Sequence, residues 1–376
     1  MKLLIGADLV PTNSNLDLFS SANISAIFGD GLCEVLSSAD YRVFNLEVPL
    51  TNTAAPIDKC GPALIAPTST VAGYKAIGVD LLTLANNHIM DQDTQGLDST
   101  IKTLNEAGIA YFGAGNTLKD AEKPYIIQLE DKKIGVYACA EHEFSIAGDH
   151  TPGANPFDPL ESLDHIEELK KQCDFCIVLY HGGKEHYRYP SPNLQKVCRK
   201  MVEKGADLVV CQHSHCIGCE EKYKDGTIVY GQGNFLFDLS EIELWQTSLL
   251  VEISDDFNVS YIPVVKKGSG VRLADAAQAK EILDAFYSRS NEILQDGVIE
   301  ERYSQFAEKM LENYLSAMSG FKRGFFFKVI NKLMGHRLDK WRLNKYYRQK
   351  RMAIRNYIEC EAHRELLLRG IQKTET

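Results

Sequence analysis

Long hydrophobic runs are missing from this 376-residue chain. No stretch approaches the roughly 18 consecutive apolar residues that a membrane-crossing helix needs. The aromatic cluster at 325–327 is flanked by Lys322, Arg323 and Lys328, so it cannot cross either. A leader is not expected. The opening MKLLIGADLVPT is interrupted by Asp8 and Pro11 before an apolar core of signal-peptide length forms, and it reads as a first strand. The expected location is therefore cytoplasmic, with the inner membrane face as a peripheral site. Internal repeats and low-complexity tracts are absent too. Apolar residues at 44% and charged residues at 24% exclude wholesale disorder and fibrous architectures.

Zinc-finger spacing is scarce despite ten cysteines. Cys173 and Cys176 border the apolar run CIVLY, where strand alternation sends them to opposite faces. Cys216 and Cys219 have no companion pair at finger spacing. The cysteines read as buried, reduced thiols.

What the chain does have is an uneven charge. Net charge is −10, from 51 acids against 41 bases. Residues 320–376 hold 15 Lys and Arg against 5 Asp and Glu, so residues 1–319 carry 26 against 46. Through the first two-thirds, short apolar runs end in polar clusters: KLLIGADL, YRVFNLEV, DLLTLANNH, KIGVYACAEH, DFCIVLYHGG, DLVVCQHSH and TIVYGQGNF. Between them lie helix-like stretches at 96–107 and 193–204. Strand–helix alternation predicts an α/β fold with polar loops gathered at the carboxyl edge of its strands. SLLVEIS and NVSYIPVVKK predict a closing hairpin, and the pattern turns helical from about Ala274. Two regions are expected: residues 1–273 as the α/β body, and 274–376 as a helical extension carrying the basic, aromatic tail 320–376.

The residues that end those runs carry the chemistry. Asp8 ends the first; Asn45 and Glu47 the second; Asn86, Asn87 and His88 the next, with Asp91 close behind. His181 ends DFCIVLY, followed by Glu185 and His186, and DLVVCQ delivers His213 and His215. Carboxylate, amide oxygen and imidazole converging on one edge suit one or two divalent ions, with Mn, Fe or Zn favoured over Mg by the histidines.

The blocks GAD, FNLEVPLT, LANNHIMDQDTQGLDS, HGGKEH, GADLVVCQHSHCI and IVYGQGNFLFD, in this order over about residues 3–240, resemble the CapA family of capsule and poly-γ-glutamate biosynthesis proteins. That family is related in fold to the calcineurin-like metallophosphoesterases, so the resemblance implies an α/β/β/α sandwich. It also implies one metal held by Glu47, Asn87, His181 and His213, and a second with only Asp8, Glu47 and His215. The parent superfamily's first motif has a histidine two residues after its Asp; here that position is Val10.

Beside such ions, His88 is expected as general acid or oxyanion stabiliser. Asp91 either orients it or caps the following helix. Lys59, Glu185 and Asn234 are candidate substrate contacts. The implied function is a metal-dependent hydrolase or transferase of capsule or surface-polymer biosynthesis. Its substrate would be a phosphoester, an acyl-phosphate or an amide-linked acidic polymer intermediate. The alternative is a non-catalytic scaffold of a surface-polymer complex with a degenerate metal site. The expected partner is an envelope polymer or a small phosphorylated or acidic substrate, although an acidic body repels a long polyanion. The tail interleaves aromatics with Lys and Arg at roughly helical spacing. It suits an anionic membrane surface, a protein partner or internal packing better than nucleic acid, for which no recognised motif is present.

Overall fold

Residues alternate along the parallel strands so that each strand feeds two cores. In β1 (Leu3–Asp8), Leu3 and Ile5 join one apolar cluster and Leu4 another, and all six residues are buried. Burial on both faces is what a sheet covered on both sides requires. These features are seen in a computed structural model, which describes residues 1–318, 324–335, 337–339, 341 and 348–374.

One sheet runs β1, β2 (Tyr41–Asn45), β3 (Leu81–Thr83) and β4 (Ala110–Phe112) in parallel. The antiparallel β13 (Thr247–Ile253), β14 (Val259–Lys267) and β15 (Gly270–Leu273) extend its other side. The expected hairpin is β13–β14, with Thr247 opposite Val265. The second sheet has the order β11 (Glu220–Tyr223), β12 (Gly226–Val229), β10 (Leu208–Gln212), β9 (Phe175–His181), β7 (Lys132–Ala140) and β6 (Tyr125–Leu129). A small ladder pairs β5 (Ala114–Gly115) with β8 (Gly153–Ala154).

The two large sheets pack face to face through Leu3, Ile5, Val43 and Leu81 on one side and Val136, Ile177, Leu179 and Val210 on the other. The outer face of the first sheet, with Leu4, Phe44 and Leu82, packs under α1 (Leu16–Ser20), α2 (Ile24–Ser37), α3 (Val71–Ala76) and α4 (Asp93–Ala107). Beyond the short α5 (Leu118–Ala121), the outer face of the second sheet uses Tyr137, Val178 and Val209 against α6 (Ser162–Lys170) and α7 (Pro192–Glu203). This is the expected α/β/β/α sandwich. Helix α7 starts where Ser191 accepts from Leu194 N at 3.0 Å and Pro192 takes the first turn, where its missing N–H costs nothing. Helix α4 ends at Gly108, in the left-handed conformation that glycine adopts without strain.

The sandwich and the helix after it form one compact unit, Met1–Tyr303. Position 273/274 falls between β15 and α8 (Ala276–Glu292), which opens with a capping box formed by Asp275 and Gln278 and packs on β11 and β14. A second unit comprises Ser304–Thr376. Helix α9 (Val298–Met318) continues into it, followed by α10 (Phe325–Leu333) and the helices Arg348–Glu359 and Glu361–Thr374, which pack on each other. No described helix is long and apolar enough to cross a membrane. Lys322 and Arg323 lie outside the described residues.

Candidate metal centre

Both large sheets end their parallel strands at one edge, and the ladder register lines up the polar ends. Asp8 pairs with Asn45, Asn45 with Thr83, and His181 with both Gln212 and Ala140. Glu47 lies two residues past β2, Asn86 to His88 follow β3, and His213 and His215 follow β10. All are buried.

Two groups of ligand atoms form there, each within 4.8 Å: Glu47, His181 and His213, and Asp8, Glu47 and His215. Glu47 belongs to both. Around His181 Nε2 stand Asn87 Oδ1 at 3.0 Å, His213 Nδ1 at 3.1 Å and Glu47 Oε1 at 3.2 Å. The other ring nitrogen, Nδ1, faces Asn45 Nδ2 at 3.2 Å. A single N–H on Nε2 cannot serve three neighbours, two of which are acceptor oxygens. Both Glu47 oxygens and Asp8 Oδ2 are buried with no hydrogen-bond partner. A divalent cation satisfies such a donor-poor, ligand-rich cluster, so the residues fit the metal expected from the sequence.

The electrostatics agree. Burial alone would raise Asp8, but His215, 3.6 Å away, and the charge on His181 hold it below the ordinary carboxylate range. Burial disfavours charge on His215, yet Asp8 and Glu47 outweigh it and bring the imidazole up to about 9. On His213, burial and then the neighbouring His181 and His215 push the pKa well below the usual value. The backbone is strained at the same place: His186, His213 and His215 have φ of 60°, 84° and 54°. Left-handed conformations at non-glycine residues persist where surrounding structure holds them, and they cluster at functional sites.

The family model for the bacterial capsule synthesis protein PGA_cap matches residues 5–239. The chain belongs to that family. It is 33% identical over 213 residues to the capsule biosynthesis protein CapA of Bacillus anthracis, covering 54% of this chain and 52% of that protein. It is 30% identical over 213 residues to the PGA biosynthesis protein CapA of Bacillus subtilis (strain 168), with 54% and 55% covered. The chain thus spans about half the length of the curated relatives it matches. Among solved structures, it is similar to a novel phosphatase of Mycoplasma pneumoniae, at TM-score 0.43 and 13% identity over 70% of this chain and 93% of that one. The 5'-nucleotidase precursor of Thermus thermophilus gives 0.42 and 14%, over 77% and 58%.

The PGA_cap match takes in every residue of both ligand groups and leaves the second unit outside it. Beside the ligands, His88 Nδ1 lies 2.6 Å from Asp91 Oδ2, and Asp91 Oδ1 receives Lys59 Nζ at 2.6 Å. Leu64 N also donates to Asp91 Oδ2, at 2.6 Å. The residue preceding α4 is Gln92, so Asp91 faces His88 and does not cap that helix. Lys59 is not an outward-facing cation. Its side chain is 3% exposed because the fully buried Asp91 carboxylate draws it in, and it also donates to Asn87 O at 3.3 Å. Asn234 Oδ1 meets His215 Nδ1 at 2.8 Å, which fixes that ring. Glu185 is half exposed, with Oε1 4.0 Å from His215 Nε2.

Glu143, Ser145 and Trp245 escape a reading of the sequence, as do the hydrogen bonds that join the strand-end amides. Asn87 Nδ2 donates to Glu143 Oε2 at 2.8 Å, turning its carbonyl oxygen toward His181, while Ser145 Oγ donates to Asn87 O at 2.8 Å. Asn86 Nδ2 donates to Asn45 Oδ1 at 3.0 Å, and Asn45 Nδ2 to Asp8 Oδ1 at 2.7 Å. Trp245 packs on the His215 ring at 4.7 Å and donates to His186 Nε2 at 2.9 Å. The signal for Glu143 was present in AEHEF, another polar cluster closing an apolar run.

Proposed function

We propose that this PGA_cap protein is a metal-dependent hydrolase or transferase of capsule or surface-polymer synthesis. Its substrate in this reading is a phosphoester, acyl-phosphate or amide-linked acidic intermediate. One observation carries the reading: Glu47 is fully buried, shared by two ligand groups, and has neither oxygen hydrogen-bonded. Glu47, Asn87, His181 and His213 would hold one ion, with Mn, Fe or Zn suited to the mixed oxygen and nitrogen set. Asp8, Glu47 and His215 offer three ligands to a second. A divalent cation at this edge supplies Lewis acidity toward a phosphoryl or carbonyl oxygen.

The chain's own groups handle the proton. His88 has Nδ1 committed to Asp91, which leaves Nε2 to exchange a proton with a leaving oxygen. Asp91 fixes the ring, and Lys59 fixes Asp91. Glu185, half exposed and 4.0 Å from His215 Nε2, would contact substrate in this reading. With 46 acids against 26 bases in residues 1–319, a short or partly neutralised intermediate fits this body better than a long polyanion.

The test is metal analysis of the purified protein together with Mn-dependent phosphate release from p-nitrophenyl phosphate and acetyl phosphate. Stoichiometric metal and turnover, both lost in His213→Ala, are expected. A metal-free protein whose role in polymer synthesis survives His213→Ala would sink the reading and leave the scaffold.

A further inference from the structure

An amphipathic helix on a water-soluble surface normally buries its apolar stripe and exposes its polar one. Helix α10 leaves an apolar stripe exposed and buries an asparagine. Its Asn331 is 4% exposed and donates through Nδ2 to the carboxylate of the equally buried Asp339, whose backbone N donates back to Asn331 Oδ1 at 3.2 Å. On the outward arc lie Phe326, Val329, Ile330 and Leu333, spaced i, i+3, i+4 and i+7, with Phe326 81% and Leu333 82% exposed. Lys328 and Lys332 are exposed on the same helix. In the same unit, Leu366, Leu367, Leu368 and Ile371 of Glu361–Thr374 are also exposed, alongside Arg364 and Arg369.

We propose that the outward face of α10 seats this protein on the surface of an anionic lipid bilayer. The occupant follows from charge and shape together. The segment 320–376 carries 15 bases against 5 acids, so a second copy of the same segment would repel it, whereas anionic headgroups complement it. A stripe with three aliphatic members beside one phenylalanine rewards an acyl boundary; a nucleic acid would reward stacked rings and leave Val329, Ile330 and Leu333 without a partner. At nine residues the helix is about 14 Å long, far short of the roughly 30 Å hydrocarbon core, so it lies in the interface plane. An apolar face combined with basic flanks supplies the two signals that stable interfacial binding needs.

The test is co-sedimentation of the full chain with phosphatidylcholine vesicles, with and without about 30 mol% phosphatidylglycerol. Binding should require phosphatidylglycerol and weaken with salt. Ile330→Glu/Leu333→Glu, at exposed positions, should cut the partition coefficient about tenfold or more while leaving thermal unfolding unchanged. Lys328→Ala/Lys332→Ala should give a smaller, salt-sensitive loss. Equal binding by wild type and Ile330→Glu/Leu333→Glu would overturn the proposal. So would vesicle-independent self-association abolished by that pair, or binding to an RNA oligonucleotide with no binding to vesicles.

Discussion

Glu47 Oε1 stands 3.2 Å from His181 Nε2, two buried groups brought together across the two sheets. Without a cation, Glu47 is a buried carboxylate with neither oxygen hydrogen-bonded, and the neighbouring imidazoles of His181 and His215 offset its charge. With one, it is a ligand. Glu47→Gln should change the stability of the metal-free protein little, because it removes both the desolvation cost and the attraction to those imidazoles, and should abolish stabilisation by metal. For wild type, free Mn at a hundredfold excess over its dissociation constant should add about 2.7 kcal/mol, which raises the melting temperature by several degrees. Calorimetry of both proteins with EDTA and with Mn checks this. An equal rise in both would remove Glu47 from the site.

Lys59 and Asp91 form a buried ion pair from loops 32 residues apart. Removing one partner from a buried pair costs about 3–5 kcal/mol when the other charge is left uncompensated. Asp91 keeps Leu64 N and His88 Nδ1 beside it, so Lys59→Met should destabilise the protein by less than that, and Lys59→Met/Asp91→Leu should recover part of the loss. Asp91→Asn should lower turnover about 10²–10⁴-fold through loss of His88 orientation, with bound metal unchanged. Denaturant unfolding, metal analysis and phosphate release together separate these effects. Metal loss in Asp91→Asn would show that Asp91 supports the ligands instead of His88.

The ligand edge was legible in the sequence because the parallel strands all terminate there, so a polar residue closing an apolar run is placed by topology alone. Asp8, His181 and His213 follow that rule. The residues that orient them do not. Glu143 reaches Asn87 from a loop beyond β7, and Lys59 reaches Asp91 from a loop whose path no local pattern specifies. Lys59 illustrates the limit well: in the loop Pro56–Pro62 it reads as a candidate substrate contact, and nothing local reveals the buried Asp91 carboxylate it pairs with. Helix α10 shows another. Spacing reveals an apolar stripe, but it takes the exposure of Phe326 and Leu333 and the buried Asn331–Asp339 hydrogen bonds to reveal that the stripe faces outward.

A pH-dependent contribution comes from the end of α8. Glu292 accepts from Tyr189 Oη at 2.6 Å and from Arg302 Nε at 2.9 Å. The Tyr189 hydrogen bond, with Arg302 beside it, holds this carboxyl below its ordinary range. A depressed carboxylate stabilises the fold above its unfolded pKa of about 4.3, and that contribution is lost as pH falls through the lower folded value. The side chain is about a quarter exposed, so solvent screening limits the effect to roughly 1 kcal/mol. Glu292→Gln should thus melt a few degrees below wild type at pH 7, and the gap should narrow as pH falls below the ordinary glutamate value of about 4.3. Melts across pH 3–8 in EDTA keep metal binding out of the comparison. A gap that stayed constant across that range would mean that Glu292 acts through shape and neutral hydrogen bonding, not through its charge.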